Sequence, residues 1–295
     1  MKRGLTDPRT QGSIALSQAI YPKNHPNYTS DIEYTIEKIK EISLQDLKEF
    51  HNDYFGTAGM HLVVVGDISI NALESPLKKH LSDWSGGITS KATFTEPSAT
   101  KAVIKVVTIP QKPSAELFIG TYTGIERNDK DYLPLYIGTS VLGGGFSGRL
   151  MQTVRDNEGL TYSIYSRHEG DNNAGGYWNV NASFNPDLFG RGLKSTMFQI
   201  ETWIKDGISN EELSFIKNNI TGSFKVGMAT TSGLASTLLS FLERGLAPSY
   251  LGKFSKDVEA ITVEQVNQAI KKYVDLDKMV IIKSGSLDKN GEPLK

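Results

Sequence analysis

Apolar residues along this chain recur with two spacings, about 3.6 residues and two residues, and their order sketches an architecture. Helical spacing runs over 10–20, followed by a loop at 21–28 that carries Pro22 and Pro26. A helix is predicted over 43–55, a strand over 61–65 and an amphipathic helix over 70–84. Residues 85–100 lose periodicity and turn to Gly, Ser, Thr and Pro, the composition of a linker. Beyond them, strands are predicted at 102–108 and 115–123, then a helix at 132–142. Two alternating segments, 160–168 and 176–184, read as an antiparallel pair across a Gly, Asp and Asn turn. Helices are predicted near 188–206, 210–226, 232–244 and 253–261, then one more helix and a last strand at 279–283. Strands early and helices late indicate an α+β fold, with tandem two-layer units of antiparallel-rich sheet covered by helices on one face. The expected division is a C-terminal part of a first domain at 1–90, a linker at 91–100 and a complete second domain at 101–295.

The tandem reading rests on an internal repeat. Ile42 matches Ile261, an offset of 219 residues, and the same ungapped offset pairs Tyr54 with Tyr273, Met60 with Met279 and Gly66 with Gly285. Helical positions Leu44, Leu47, Phe50 and Phe55 fall on Val263, Val266, Ala269 and Val274, so one apolar face recurs in both copies. Each copy opens on a capping pattern, Ser43 with Asp46 and Thr262 with Gln265. The predicted strand at 62–65 answers 281–284, and upstream Ser13 and Ser17 answer Ser232 and Ser236. The offset places the front of the first copy before Met1, so the expected first unit is the end of a repeat. His51 falls on the buried-leaning side of its helix and is expected at the core or its boundary.

Composition narrows the function class. The chain has 295 residues, 38% of them hydrophobic and 22% charged, as soluble globular proteins do. A net charge of −1 argues against a nucleic-acid partner, which normally meets a basic excess. With no cysteine there is neither a disulfide nor a thiolate metal site, a state compatible with any compartment. No apolar run is long enough to span a bilayer. The five histidines show no metal-ligand spacing, and none stands in H-x-x-E-H.

Candidate chemistry concentrates in residues 143–162, GGGFSGRLMQTVRDNEGLTY. Leu150, Met151 and Val154 give a short helix an apolar face, Arg155 lies in its last turn, and Gly159 is the residue type that ends helices in the left-handed conformation. Tyr162 then opens the next strand. A cation and a phenol fixed on two rigid elements at one turn are able to grip a peptide carbonyl. Either residue also has an ordinary structural use, since arginine suits a helix C-terminus and tyrosine a strand. Gly143, Gly145 and Gly148 match the spacing of a dinucleotide-binding turn. That motif needs a strand before it, and 132–142 has helical spacing.

A Gly-rich turn, then Arg149-Leu150, then Arg155-x6-Tyr162 resembles the insulinase/pitrilysin-type zinc metallopeptidases. Tyr21-Pro-x-x-His25-Pro26, the run from Ile42 to Phe55 and Leu62-Val-Val-Val-Gly66-Asp67 extend the resemblance over nearly the whole chain. The fit is best with the C-terminal half of long bacterial members. That resemblance implies a non-zinc portion of a metalloendopeptidase, closing over peptide substrates. Zinc would be held by an N-terminal half or by a partner subunit, and none by this chain. Arg155 and Tyr162 are implied to contact substrate, with Gly143, Gly144, Gly145, Phe146 and Ser147 shaping the wall beside them. The resemblance also implies a second possibility, an inactive scaffold or partner subunit, and leaves peptide specificity and compartment open.

Overall fold

The first helix, α1 (Pro8–Ile20), starts where Asp7 accepts the Thr10 amide at 2.8 Å and Pro8 supplies a pre-set first turn. A computed structural model describes residues 1–88, 93–97, 102–172 and 174–294. Next come α2 (Ile32–Glu41), α3 (Leu44–Tyr54) and α4 (Ile70–Leu81). Of the predicted linker, residues 89–92 and 98–100 lie outside the described residues, as does Lys101. Two strands follow, β1 (Val103–Thr108) and β2 (Ala115–Tyr122), then α5 (Tyr132–Gly143) and a π-helical turn at Met151–Asn157. The antiparallel pair is β3 (Thr161–Glu169) and β4 (Tyr177–Phe184). Helices α6 (Phe189–Asp206), α7 (Asn210–Gly227), α8 (Thr231–Glu243), α9 (Phe254–Ala260) and α10 (Val263–Tyr273) precede the last strand, β5 (Val280–Gly285).

The five strands of the described residues form one sheet in the order β1-β5-β2-β4-β3, in which β1 and β5 run parallel and the other neighbours antiparallel. Helices α5, α6, α7 and α10 bury one face, and the core there centres on Trp178 and Trp203, stacked 5.7 Å apart. Trp203 donates its indole N–H to the Gly138 carbonyl at 3.0 Å, so the ring is buried with its polar atom satisfied. The opposite face receives α1. Ala15, Leu16, Ile20 and Tyr21 pack on Phe118, Val280 and Ile282, so α1 and the sheet share one apolar cluster.

The repeated helices share a pattern and differ in fate. Val266 and Ala269 of α10 are buried, whereas Leu44, Leu47 and Phe50 of α3 are 69%, 56% and 52% exposed. Both helices keep their reciprocal capping boxes, so local chemistry forms them and tertiary packing distinguishes them. Two expectations are corrected here. Residues 61–65 form no strand, unlike their counterpart β5, because no strand among the described residues pairs with them to satisfy their backbone groups. His51 is exposed and stacks on Phe55 at 5.6 Å, since the face it shares has no cover among the described residues.

Candidate functional site

The end of α5 presses onto the sheet. A Cβ at Gly143 would stand 2.5 Å from the Ser166 backbone nitrogen of β3, and one at Gly148 would stand 2.9 Å from the Gly143 Cα. Those two glycines therefore serve close approach within the chain itself. Gly143 is buried, while Gly144, Gly145, Phe146 and Ser147 are exposed, and nothing lies within 4 Å of a Cβ at Gly145. The exposed four line a concavity of about 530 Å³ with residues of α5, α7 and α9. Arg149 bolts this turn to the α6–α7 junction. Its Nε and Nη2 each donate to Glu212 at 2.6 Å, and Nη2 also donates to the Gly207 carbonyl at 2.9 Å. Burial works to raise the Glu212 pKa, but the Arg149 bonds and the Ser209 amide outweigh it and hold the carboxyl below its ordinary range.

Arg155 sits on the π-helical turn, where Leu150 and Val154 are buried on the opposite side. A π-turn widens the helix by one residue and re-aims the side chains it carries. Gly159, at φ +64°, closes the turn, and Leu160 returns to the core. Strict alternation from Ile164 backwards would turn Tyr162 toward the buried face. Instead Thr161 pairs with Phe184 and Ser163 with Ser183, which leaves Tyr162 as the extra residue of a β-bulge. The Thr161 hydroxyl secures the bulge by accepting the Ser163 amide at 3.2 Å and bonding the Ser183 carbonyl. Tyr162 is thereby 85% exposed on an edge strand.

These elements converge. The Arg155 guanidinium carbon lies 5.5 Å from the centre of the Tyr162 ring and 5.7 Å from that of Phe146, itself 78% exposed. The predicted pair and the Gly-rich turn thus form one cluster, a cation between two aromatic rings. The one ion pair Arg155 makes among the described residues is with Asp156 at 3.4 Å, half-exposed and weak. Sequence reasoning missed both the bulge and the part Phe146 plays beside the cation.

Among the described residues no group of three His, Asp or Glu is placed to hold a metal. His168 instead bonds the Thr123 hydroxyl through Nε2 at 2.7 Å and lies 3.6 Å from Asp171. His25 stacks on Tyr21 at 4.3 Å and accepts the Asn27 amide through Nδ1 at 3.1 Å. No described helix is long and apolar enough to cross a membrane.

The chain belongs to the M16 family, the insulinase/pitrilysin-type metallopeptidases: residues 41–220 match the sequence model described as the peptidase M16 inactive domain. It is 24% identical over 248 residues to a non-peptidase homolog, YmxG, of Helicobacter pylori, covering 83% of this chain and 56% of that protein. It is 25% identical over 259 residues to an uncharacterized zinc protease, YmxG, of Bacillus subtilis, covering 85% and 60%. The crystal structure of a peptidase M16 inactive domain from Pseudomonas fluorescens superposes with a TM-score of 0.84 at 28% identity, over 100% of this chain and 69% of that one. The chain spans 56% and 60% of the length of the two curated relatives.

Proposed function

We propose that this chain is the non-zinc portion of a peptide-cleaving M16 assembly, and that it closes the chamber and holds substrate through Arg155 and Tyr162. The observation that carries the reading is the cluster itself. A β-bulge and a π-turn, both departures from regular structure, turn Tyr162 and Arg155 outward, with the guanidinium carbon 5.5 Å from the centre of the phenol ring. A tyrosine with no core to fill and an arginine with one weak ion pair do little for the fold.

In this role the guanidinium and the phenol both donate to one peptide carbonyl oxygen. Their bonds strengthen as negative charge develops on that oxygen during attack, which lowers the barrier more than it tightens binding. Gly144 and Gly145 leave room for a peptide backbone beside them, and Phe146 keeps water off one side of the cation. Relatives named zinc proteases imply a metal in the complete enzyme, but the described residues do not fit one. No step of the chemistry assigned to this chain passes through it.

The test supplies the zinc-bearing part and measures peptide turnover. Arg155→Ala and Tyr162→Phe are each expected to lower kcat by about 10²–10³-fold, as loss of an oxyanion donor does. Wild-type turnover by both folded variants would refute the assignment. A second reading is favoured by the relative described as a non-peptidase homolog: an inactive scaffold or partner subunit. Under that reading the same variants leave assembly with the partner intact and alter no turnover.

A further inference from the structure

A second concavity, of about 350 Å³, lies between the start of α5 and helices α7, α8 and α9. Its walls are aromatic. Phe224 and Phe254 have ring centres 4.4 Å apart, Phe241 and Tyr250 are 5.4 Å apart, and Tyr132 forms the floor. Two guanidinium groups enter this apolar lining, Arg127 from the β2–α5 loop and Arg244 from the end of α8.

Neither arginine is used up by the fold. Arg127 stacks 4.4 Å above Tyr132, and its buried Nε pairs with Asp171 Oδ2 at 3.5 Å without making a hydrogen bond, which leaves both Nη atoms uncommitted among the described residues. Arg244 donates Nε to Asn172 at 2.9 Å and Nη1 to Ser240, with Nη2 uncommitted among the described residues. Burial is the main influence lowering the Arg127 pKa, and the charge on Arg244 lowers it further against the pull of Asp171. Burial tends to raise the Asp171 pKa, but contacts with His168 and Arg127 hold that carboxyl ionised. Two cations and one carboxylate leave a net positive charge of one against the aromatic lining, carried at the half-buried Arg244.

The geometry points to a binding site for a monoanionic carboxylate carried on an aromatic or branched apolar group. A single uncompensated charge matches a carboxylate, whereas a phosphate dianion would overcompensate it. The planar guanidinium fork suits the two carboxylate oxygens, and Ser236, on the same side of α8 as Ser240, supplies a further hydroxyl donor. A volume of about 350 Å³ is at the small end for ligand pockets, enough for one large side chain and its carboxylate. Two sources carry this chemistry, a free arylalkanoic acid and the free C-terminus of a peptide. The pocket shares Phe224 and Phe254 with the concavity that Gly144–Ser147 line, so the two concavities adjoin and a peptide held at the Arg155 cluster would have its end near this one. Only this peptide arm rests on the function proposed above.

Isothermal titration calorimetry of the full chain tests the site with four probes: 3-phenylpropanoate, its amide, a hexapeptide ending in Phe with a free carboxylate, and the same peptide amidated. Both acids are expected to bind at least about tenfold more tightly than their amides, the gain of a charge-assisted pair. Arg244→Gln, at the pocket rim, should remove that preference; Arg127→Gln does so where it folds, and Ser240→Ala weakens acid binding without touching a charge. A peptide acid binding more tightly than phenylpropanoate assigns the site to peptide ends, and equal or weaker binding assigns it to small acids; both support it. Amides binding as well as acids, no acid binding up to about 10 mM, or an Arg244→Gln variant with unchanged acid affinity would overturn it. Arg155→Ala should leave phenylpropanoate binding unchanged, so this test stands or fails apart from peptide turnover.

Discussion

Replacing Arg149 with methionine keeps the aliphatic stem and removes the fork that ties the Gly-rich turn to the α6–α7 junction. Glu212 then loses two 2.6 Å bonds, and Gly207 loses a 2.9 Å donor. Breaking a fully buried pair costs about 3–5 kcal/mol, and an exposed pair is worth about 0–1 kcal/mol. Side-chain exposures of 22% and 31% put this pair between those limits. Glu212 also keeps its bond from the Ser209 amide at 2.8 Å, so its carboxylate is not orphaned. The expected loss is about 2 kcal/mol, or roughly 3 °C in Tm from the usual unfolding entropy per residue at this chain length. Urea denaturation at neutral pH measures it. Because Glu212 holds a lower pKa folded than unfolded, its contribution is complete above the ordinary glutamate value and is lost as pH falls through the folded value. The gap between wild type and variant should therefore shrink as the pH drops below about 4. A difference under about 0.5 kcal/mol at neutral pH, or one that persists undiminished in acid, would refute this account of the tie.

Gly143→Ala should destabilise by about 1–3 kcal/mol, since its Cβ meets the Ser166 backbone, while Gly145→Ala should be neutral within about 0.5 kcal/mol; thermal melts of the two variants check the contrast. His25 is buried and its pKa is lowered by desolvation, so stability should decline as pH falls below the ordinary histidine value, and His25→Phe should flatten that slope in a pH series of denaturation curves. Limited proteolysis is expected to cut first within residues 85–100. The two products should co-elute in gel filtration, because α1 remains docked on Phe118 and Ile282; separate elution would contradict that packing.

Most of residues 102–285 was legible in the sequence because the elements there carry their period and several also carry stop signals. Gly159 at the end of the Arg155 turn and the capping boxes of α3 and α10 formed as their residues indicate. The docking of α1 on the far side of the sheet was not legible, since an apolar stripe says that a face is buried and not against what. Ser43–Phe55 illustrates the limit from the other side: the pattern that buries α10 leaves α3 exposed. Residues 61–65 have the composition of a strand, but a strand needs a neighbour, which composition does not supply. Helix α2 went unanticipated because Ile32, Ile36 and Ile39 are diluted among charged residues. The bulge at Tyr162 left no clear trace either, because Thr-Tyr-Ser-Ile alternates well enough without it. That one extra residue decides whether the phenol faces the core or solvent.

The central claim, that Arg155 and Tyr162 act on one carbonyl, is tested most directly by the turnover of Arg155→Ala/Tyr162→Phe beside the two single variants, with the zinc-bearing part supplied and folding checked by circular dichroism. Two donors to one oxygen act as a unit, so the double variant should be no more than about tenfold worse than the weaker single variant. Losses that multiply to about 10⁴-fold or more would mean that the residues act independently, and an unchanged rate in all three would mean that they do not act on substrate at all.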